Sequence, residues 1–218
     1  MPLGDLTQLL VPNRCAIVNM ECQENLLGPS SPIPALAQAA VDVDLVANLA
    51  RLYAAARAIG VRIYYCTDER RPDGFGLTDN LPIRAKMVGG FEENLGGHGP
   101  VVAPLTPQPQ DVVFRREQGV TGFFATGLDQ YLRNTGVQTL IITGVSLNLA
   151  VLGTTIESAN LGYTTVVPPD CVAGVPREYV EAALKYTIRN IAYTIGSPDI
   201  LAAWASAPTG DEDSRRSA

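Results

Sequence analysis

Gln138-Thr139-Leu140-Ile141-Ile142-Thr143-Gly144 decides how the fold is read. Its apolar centre is continuous rather than alternating, as in a strand covered on both faces, and such strands belong to parallel sheets. A helical stretch from Leu147 to Leu161 follows, closed at Gly162, and Thr164 to Val167 reads as the next strand. Working outward, the same alternation recurs. Upstream, Cys15 to Met20, Val61 to Cys66 and Val112 to Arg115 read as strands. Between the first two lies a helix with Leu45, Leu49, Leu52, Ala56 and Ile59 on one face, ended by Gly60. A further helix is expected over Gly122 to Asn134. Downstream, Pro176 opens a helix, Ile191 to Ile195 reads as a sixth strand, and Ser197 with Pro198 starts a last helix to Ala205. Strand, helix, strand in repetition builds βαβ units, and right-handed crossovers lay helices on both faces. The expected fold class is α/β: a three-layer Rossmann-like fold with a largely parallel six-stranded sheet.

Composition agrees with one compact domain. The chain has 218 residues, 46% hydrophobic and 17% charged, enough to bury a core without disulfides or metals. We read residues 1–208 as one domain and 209–218 as a polar, disordered tail. The net charge of −6 argues against nucleic acid or an anionic membrane as the main partner, since both reward basic surfaces. No apolar run is long enough to span a bilayer and no secretory pattern precedes Cys15, so a cytoplasmic protein is expected. The four cysteines, Cys15, Cys22, Cys66 and Cys171, show no metal-binding or disulfide spacing. Asp68 to Gln110 is long and rich in Gly and Pro, and its apolar pieces Leu81 to Ile83 and Val101 to Leu105 predict a homo-oligomer built from dimers.

Open parallel sheets bind ligands beyond the carboxyl ends of their strands. After the first strand come Glu21, Cys22 and Gln23. A carboxylate there can serve as general acid or base, or simply be solvated. Cys22 is a possible thiol nucleophile without a neighbouring histidine, and His98 in the Gly-rich loop reads as a surface residue. After the third strand, Arg116 could orient a carboxylate, with Glu117 beside it. After the fourth, Ser146 reads as a helix N-cap rather than a nucleophile, because no G-x-S-x-G elbow surrounds it.

Taken in order, these strand ends resemble the isochorismatase-like (cysteine hydrolase) superfamily over roughly Arg14 to Trp204. Ala16-Ile17-Val18-Asn19-Met20-Glu21-Cys22-Gln23 matches its acid-x-Gln strand end, with Glu for Asp. Thr121-Gly122-Phe123-Phe124-Ala125-Thr126-Gly127-Leu128 matches the segment after its lysine, and Gly144-Val145 through Ala150-Val151 matches its Gly-Val-x-x-x-x-Cys-Val. The resemblance implies Glu21, Arg116 and Ala150 at the catalytic positions. It implies substrate-binding positions at Gln23, Glu117, Phe123, Val145 and Ser146. Ala150 stands where the nucleophilic cysteine belongs, and a methyl group cannot attack a carbonyl. Either Arg116 or Glu117 takes the lysine position. Thr67-Asp68-Glu69-Arg70 lacks the histidines of zinc-binding members, so no metal and no other cofactor is expected.

Isochorismatases in this family also lack the cysteine and cleave an enol ether, which needs an acid and water but no protein nucleophile. The leading expectation is therefore a small-molecule hydrolase using Glu21 as general acid/base. Arg116 should hold Glu21 deprotonated, which suits a base better than an acid. Two alternatives stay open: a catalytically inactive binding or assembly protein that kept the fold, and a hydrolase using Cys22.

Overall fold

The computed structural model describes residues 6–71, 73–76, 80–83 and 99–206. His98 and the 209–218 tail lie outside the described residues. Among the described residues five strands form one parallel sheet: β1 (Cys15–Met20), β2 (Arg62–Asp68), β3 (Val112–Arg116), β4 (Thr139–Gly144) and β5 (Thr164–Val166), in the order β3-β2-β1-β4-β5. The chain winds outward from β1 to β3, then returns to the other side of β1 with β4. The order therefore reverses between β1 and β4, where the loops leaving the two strands part and open a crevice.

Alternate residues of the buried strands feed two cores. Cys15, Ile17, Ile63, Tyr65 and Ile141 pack against the helices Pro34–Asp42, Leu45–Ala58 and Ser197–Ser206. Ala16, Val18, Met20, Tyr64, Leu140 and Ile142 face Leu128–Asn134, the helix from Leu147 to Asn160, and Ala183–Asn190. β1 and β4 are buried at every position, which is why their sequences run apolar without alternation. The polar exceptions on the first face satisfy one another: Asn19 Nδ2 donates to the Tyr53 hydroxyl (2.5 Å), which lies 3.0 Å from Thr143 Oγ1.

Three expectations are corrected. The sixth strand at Ile191 to Ile195 reduces to a single parallel bridge, Val166 to Tyr193. β5 is only three residues long, too short to template a full neighbour. The helix expected from Gly122 begins only at Leu128, because Ala125 sits at φ 54°, in the left-handed region that a helix cannot include. Val102 and Leu105 are buried in this chain's own core and need no second copy to cover them. The homo-oligomer then rests on Leu81 to Ile83 alone and remains a proposal that sedimentation at micromolar concentration tests.

Gly144 joins the fold to the site. It ends β4 at φ 101°, and a Cβ there would run into the carbonyl oxygen of Met20 on β1. Only glycine lets the two strands close at their carboxyl ends. Gly144→Ala should cost roughly 2–5 kcal/mol, seen as a melting temperature lower by about 5–15 °C. An unchanged melting curve would contradict this account of the β1–β4 closure.

Candidate active site

The chain leaves β1 through Glu21, whose φ of 51° is left-handed. Its N–H still bonds the Cys66 carbonyl on β2 (3.2 Å), so the backbone is anchored while the side chain turns across the strand ends. There it meets Arg116, the last residue of β3, whose Nη2 donates to Glu21 Oε1. The two do not leave neighbouring strands: β2 lies between β1 and β3, and the arginine side chain spans it. Asp68, the last residue of β2 and in register with Arg116, is buried in the gap. Its Oδ2 lies 3.2 Å from Arg70 Nη2. Two carboxyl groups and two guanidinium groups thus gather over three strand ends.

Arg116 is almost wholly buried, its side chain 1% exposed, and among the described residues its Nε and Nη1 have no hydrogen-bond partner. Burial pushes the Glu21 carboxyl up to about 7, and Asp68 adds to the rise. Arg116 pulls the other way, but less strongly. The hold of Arg116 on the ionised form is thus opposed by burial. Removing a carboxylate from water costs more here than one guanidinium returns, so Glu21 holds its proton near neutrality.

Glu21, Asp68 and Arg70 open onto a cavity of about 80 Å³, lined also by Leu26, Leu36, Leu149, Ser146 and Ala150. It sits at the β1/β4 reversal. Ala150 therefore does face the carboxyl pair across one space, as the resemblance implied. Ser146 lines the cavity too, but it is not a side-chain cap: the helix starts as a π-turn over Leu147–Val151 without a bond from the Ser146 hydroxyl.

The other expected positions are placed differently. Gln23 is fully buried and its amide is engaged by backbone: Oε1 accepts from Asp68 N (2.8 Å), and Nε2 donates to Gly99 O (2.5 Å) and Asp68 O (3.2 Å). It braces the ends of β1 and β2 rather than meeting a ligand. Glu117 is exposed, whereas Arg116 is buried and paired with Glu21. Phe123 stacks on Tyr163 in the core, and Val145 is fully buried beneath the site. Cys22 is fully buried and its thiol is pushed up to about 12 by burial, so it cannot supply a thiolate nucleophile. Among the described residues no group of three or more His, Cys, Asp or Glu could hold a metal ion. Nor is any described helix long and apolar enough to cross a membrane. Sequence reasoning passed over Asp68 and Arg70 as site residues. The available signal was their place at the end of β2, between two strand ends already under scrutiny.

An isochorismatase domain model matches residues 15–199. The chain belongs to the isochorismatase family. Among its relatives, a ureidoacrylate amidohydrolase, RutB, of Methylorubrum extorquens is 30% identical over 186 residues, covering 78% of this chain and 73% of that protein. A cysteine hydrolase structure from Pseudomonas syringae pv. phaseolicola superposes with a TM-score of 0.74 at 22% identity, over 90% of this chain and 95% of that one. An isochorismatase family protein from Burkholderia thailandensis gives 0.70 at 24% identity, over 89% and 97%. At these identities the two structures speak for the fold.

The carboxyl of Glu21 should titrate with a midpoint of about 7 when followed by carboxyl ¹³C NMR. Arg116→Gln removes the lowering charge and should raise the midpoint. Asp68→Asn removes a raising charge and should lower it. Because the native state holds this proton to higher pH than the unfolded chain, the group's contribution to stability is present at low pH. It is lost as pH rises through about 7. A Glu21 that titrates near 4 in the wild type would contradict the burial argument.

Proposed function

We propose that this chain is a hydrolase of the isochorismatase family that works by proton transfer, without a covalent enzyme intermediate, on a small vinyl ether. The observation that carries the reading is a partly buried carboxyl, Glu21, that touches Arg116 and lines the same cavity as Ala150, with desolvation pushing it up to about 7. Such a group delivers a proton at neutral pH, and the family's nucleophile position holds only a methyl. Glu21 gives its proton to the terminal carbon of the C=C–O unit. The resulting oxocarbenium carbon takes up water, and Glu21 recovers a proton from that water. The adduct then collapses to a carbonyl compound and an alcohol. One water is consumed and the acid is regenerated. Arg116 stays charged throughout and stabilises the transient Glu21 carboxylate.

The amide hydrolysis named for the Methylorubrum relative does not carry over. That reaction in the cysteine hydrolases rests on a thiol at the position of Ala150. Every cysteine here is buried, so neither Cys22 nor any other thiol offers a replacement. The rival reading, a protein that binds without turnover, is favoured by that same methyl group, and the following assay separates the two.

Hydrolysis of a vinyl ether such as 2-ethoxyacrylate, followed by release of pyruvate, should be catalysed by the wild type. Glu21→Gln copies the shape of the protonated carboxyl and can still accept from Arg116, so it should fold. It should lose about 10²–10⁴-fold in turnover. The wild-type rate should fall as pH rises through about 7, where Glu21 gives up its proton. Iodoacetamide should leave activity intact, and Ala150→Cys should not create amidase activity. Turnover that survives in Glu21→Gln would overturn the proposal. No turnover at all would favour the binding protein.

A further inference from the structure

Beside β5 the chain forms an open groove of about 670 Å³ that shares no lining residue with the cavity at Glu21. One side is lined from the helical run between Arg177 and Asn190, which contributes Glu181, Lys185 and Arg189. The other is lined by Ala192 to Ile195, the segment that makes a single bridge to β5. Among the described residues no strand pairs with the outer side of that segment.

Lys185 and Arg189 are exposed, and among the described residues neither meets a carboxylate; the Lys185 ammonium lies 4.9 Å from the Tyr186 ring instead. That sets them apart from Arg57, Arg71, Arg115, Arg133 and Arg177, each of which has an acid beside it. Glu181 has Arg177 at 2.9 Å, but both are exposed, and such a pair holds weakly. Glu178 is exposed too. Residues three and four apart share a helix face. Along this face the charge therefore changes sign once, acidic at Glu178 and Glu181 and basic at Lys185 and Arg189.

The chain beyond the last helix carries the complementary order: Asp211-Glu212-Asp213, then Ser214, then Arg215-Arg216. That helix, Ser197–Ser206, starts two residues after Ile195. Its ten residues make it about 15 Å long. Ser206 to Asp211 is five residues, and an extended chain covers about 17 Å in that length, enough to return along the helix to the groove. A chain arriving from Ile195 meets Arg189 and Lys185 before Glu181 and Glu178, so acid meets base and then base meets acid. The spacing agrees as well. The centres of the two charge pairs lie about 11 Å apart along the helical run. The centres of the acidic and basic clusters beyond Ser206 lie about 12 Å apart along an extended chain. From Thr209 to Ser217 the sequence holds no apolar side chain, so charge is what this segment offers a surface. Tethering favours it over an acidic segment of another protein, because a short tether supplies an effective concentration on the order of millimolar.

We infer that Asp211, Glu212 and Asp213 dock on Lys185 and Arg189 of the same chain, with Arg215 and Arg216 over Glu181 and Glu178, so that the C-terminal segment straps this groove. The strap covers the outer side of Ala192 to Ile195, and a charged cover there keeps a second copy from adding a strand to that end of the sheet. The inference is independent of the hydrolase reading.

The test is paramagnetic NMR on the full chain. The native cysteines are all buried, so a nitroxide attached to Ser214→Cys reacts at that site alone. At about 0.01 M salt the amide signals of Lys185, Arg189 and Thr194 should lose intensity, and at about 1 M salt they should recover, because screening shortens the reach of exposed charges. The double variant Lys185→Glu and Arg189→Glu should abolish the loss. Adding Asp211→Lys, Glu212→Lys and Asp213→Lys to it should restore the loss. Should the groove variant fail to fold, Asp211→Asn, Glu212→Gln and Asp213→Asn on the native groove should abolish the loss in its place. Full intensity at these amides at low salt overturns the strap. So does a loss that survives high salt or the charge substitutions. Labelled chain mixed with isotope-enriched, unlabelled chain should leave the enriched signals unchanged. A loss in that mixture of the size seen within one chain would assign the groove to the tail of a second copy and overturn docking within the chain.

Discussion

Arg116 is a permanent charge almost entirely removed from water, and the carboxyl end of the sheet is organised around that fact. A buried guanidinium without a partner would cost several kcal/mol. Glu21 supplies the partner, and it can do so only because the backbone turns left-handed directly after β1 and aims the side chain across β2. Gln23, two residues on, locks that turn by bonding the backbone of Asp68 and Gly99. Gly144 allows β4 to close against β1 on the other side. Each of these residues has a geometric task set by the need to bring one carboxyl group and one guanidinium together across three strands.

The same burial gives the pair its chemical character. Exposed at a surface, a carboxylate touching arginine would be ionised at all physiological pH values and would be a poor acid. Here desolvation outweighs the attraction, and Asp68 tips the balance further. The result is a carboxyl pushed up to about 7, in a family site whose nucleophile position is a methyl group. Retaining a tuned acid while lacking a thiol is consistent with chemistry that asks for protonation and water rather than for an acyl-enzyme. It also explains why the four cysteines, all buried, serve as small apolar packing groups, with desolvation raising their thiols.

Much of the architecture was legible because hydrophobic burial leaves a direct trace in composition. β1 and β4 are apolar runs because both faces are covered, and the Leu45–Ala58 helix shows its stripe because only one side meets the sheet. The failures have equally local causes. Ile191 to Ile195 has the composition of a strand, but β5 offers it only three residues to pair with, so one bridge forms. Ala125 is a good helix former, yet the chain must turn there to pack Phe123 on Tyr163, and tertiary contact overrode propensity.

For the site, residue type and strand-end position were enough to raise Glu21 and Arg116, and the family resemblance added Ala150. Their order along the chain carries the family signature, and the absence of a thiol at 150 is a fact of covalent chemistry. What sequence could not supply was anything that depends on distances across the sheet. The spacing of residues along a chain does not say that β2 lies between β1 and β3, that Asp68 and Arg70 therefore join the pair, or that Gln23 is consumed by backbone bonds. Nor does it give the local dielectric, which opposes the hold of Arg116 on the Glu21 carboxylate. Charge–charge attraction can be anticipated from residue identity, but desolvation depends on how completely the folded chain excludes water, and that is decided only when the strand ends converge.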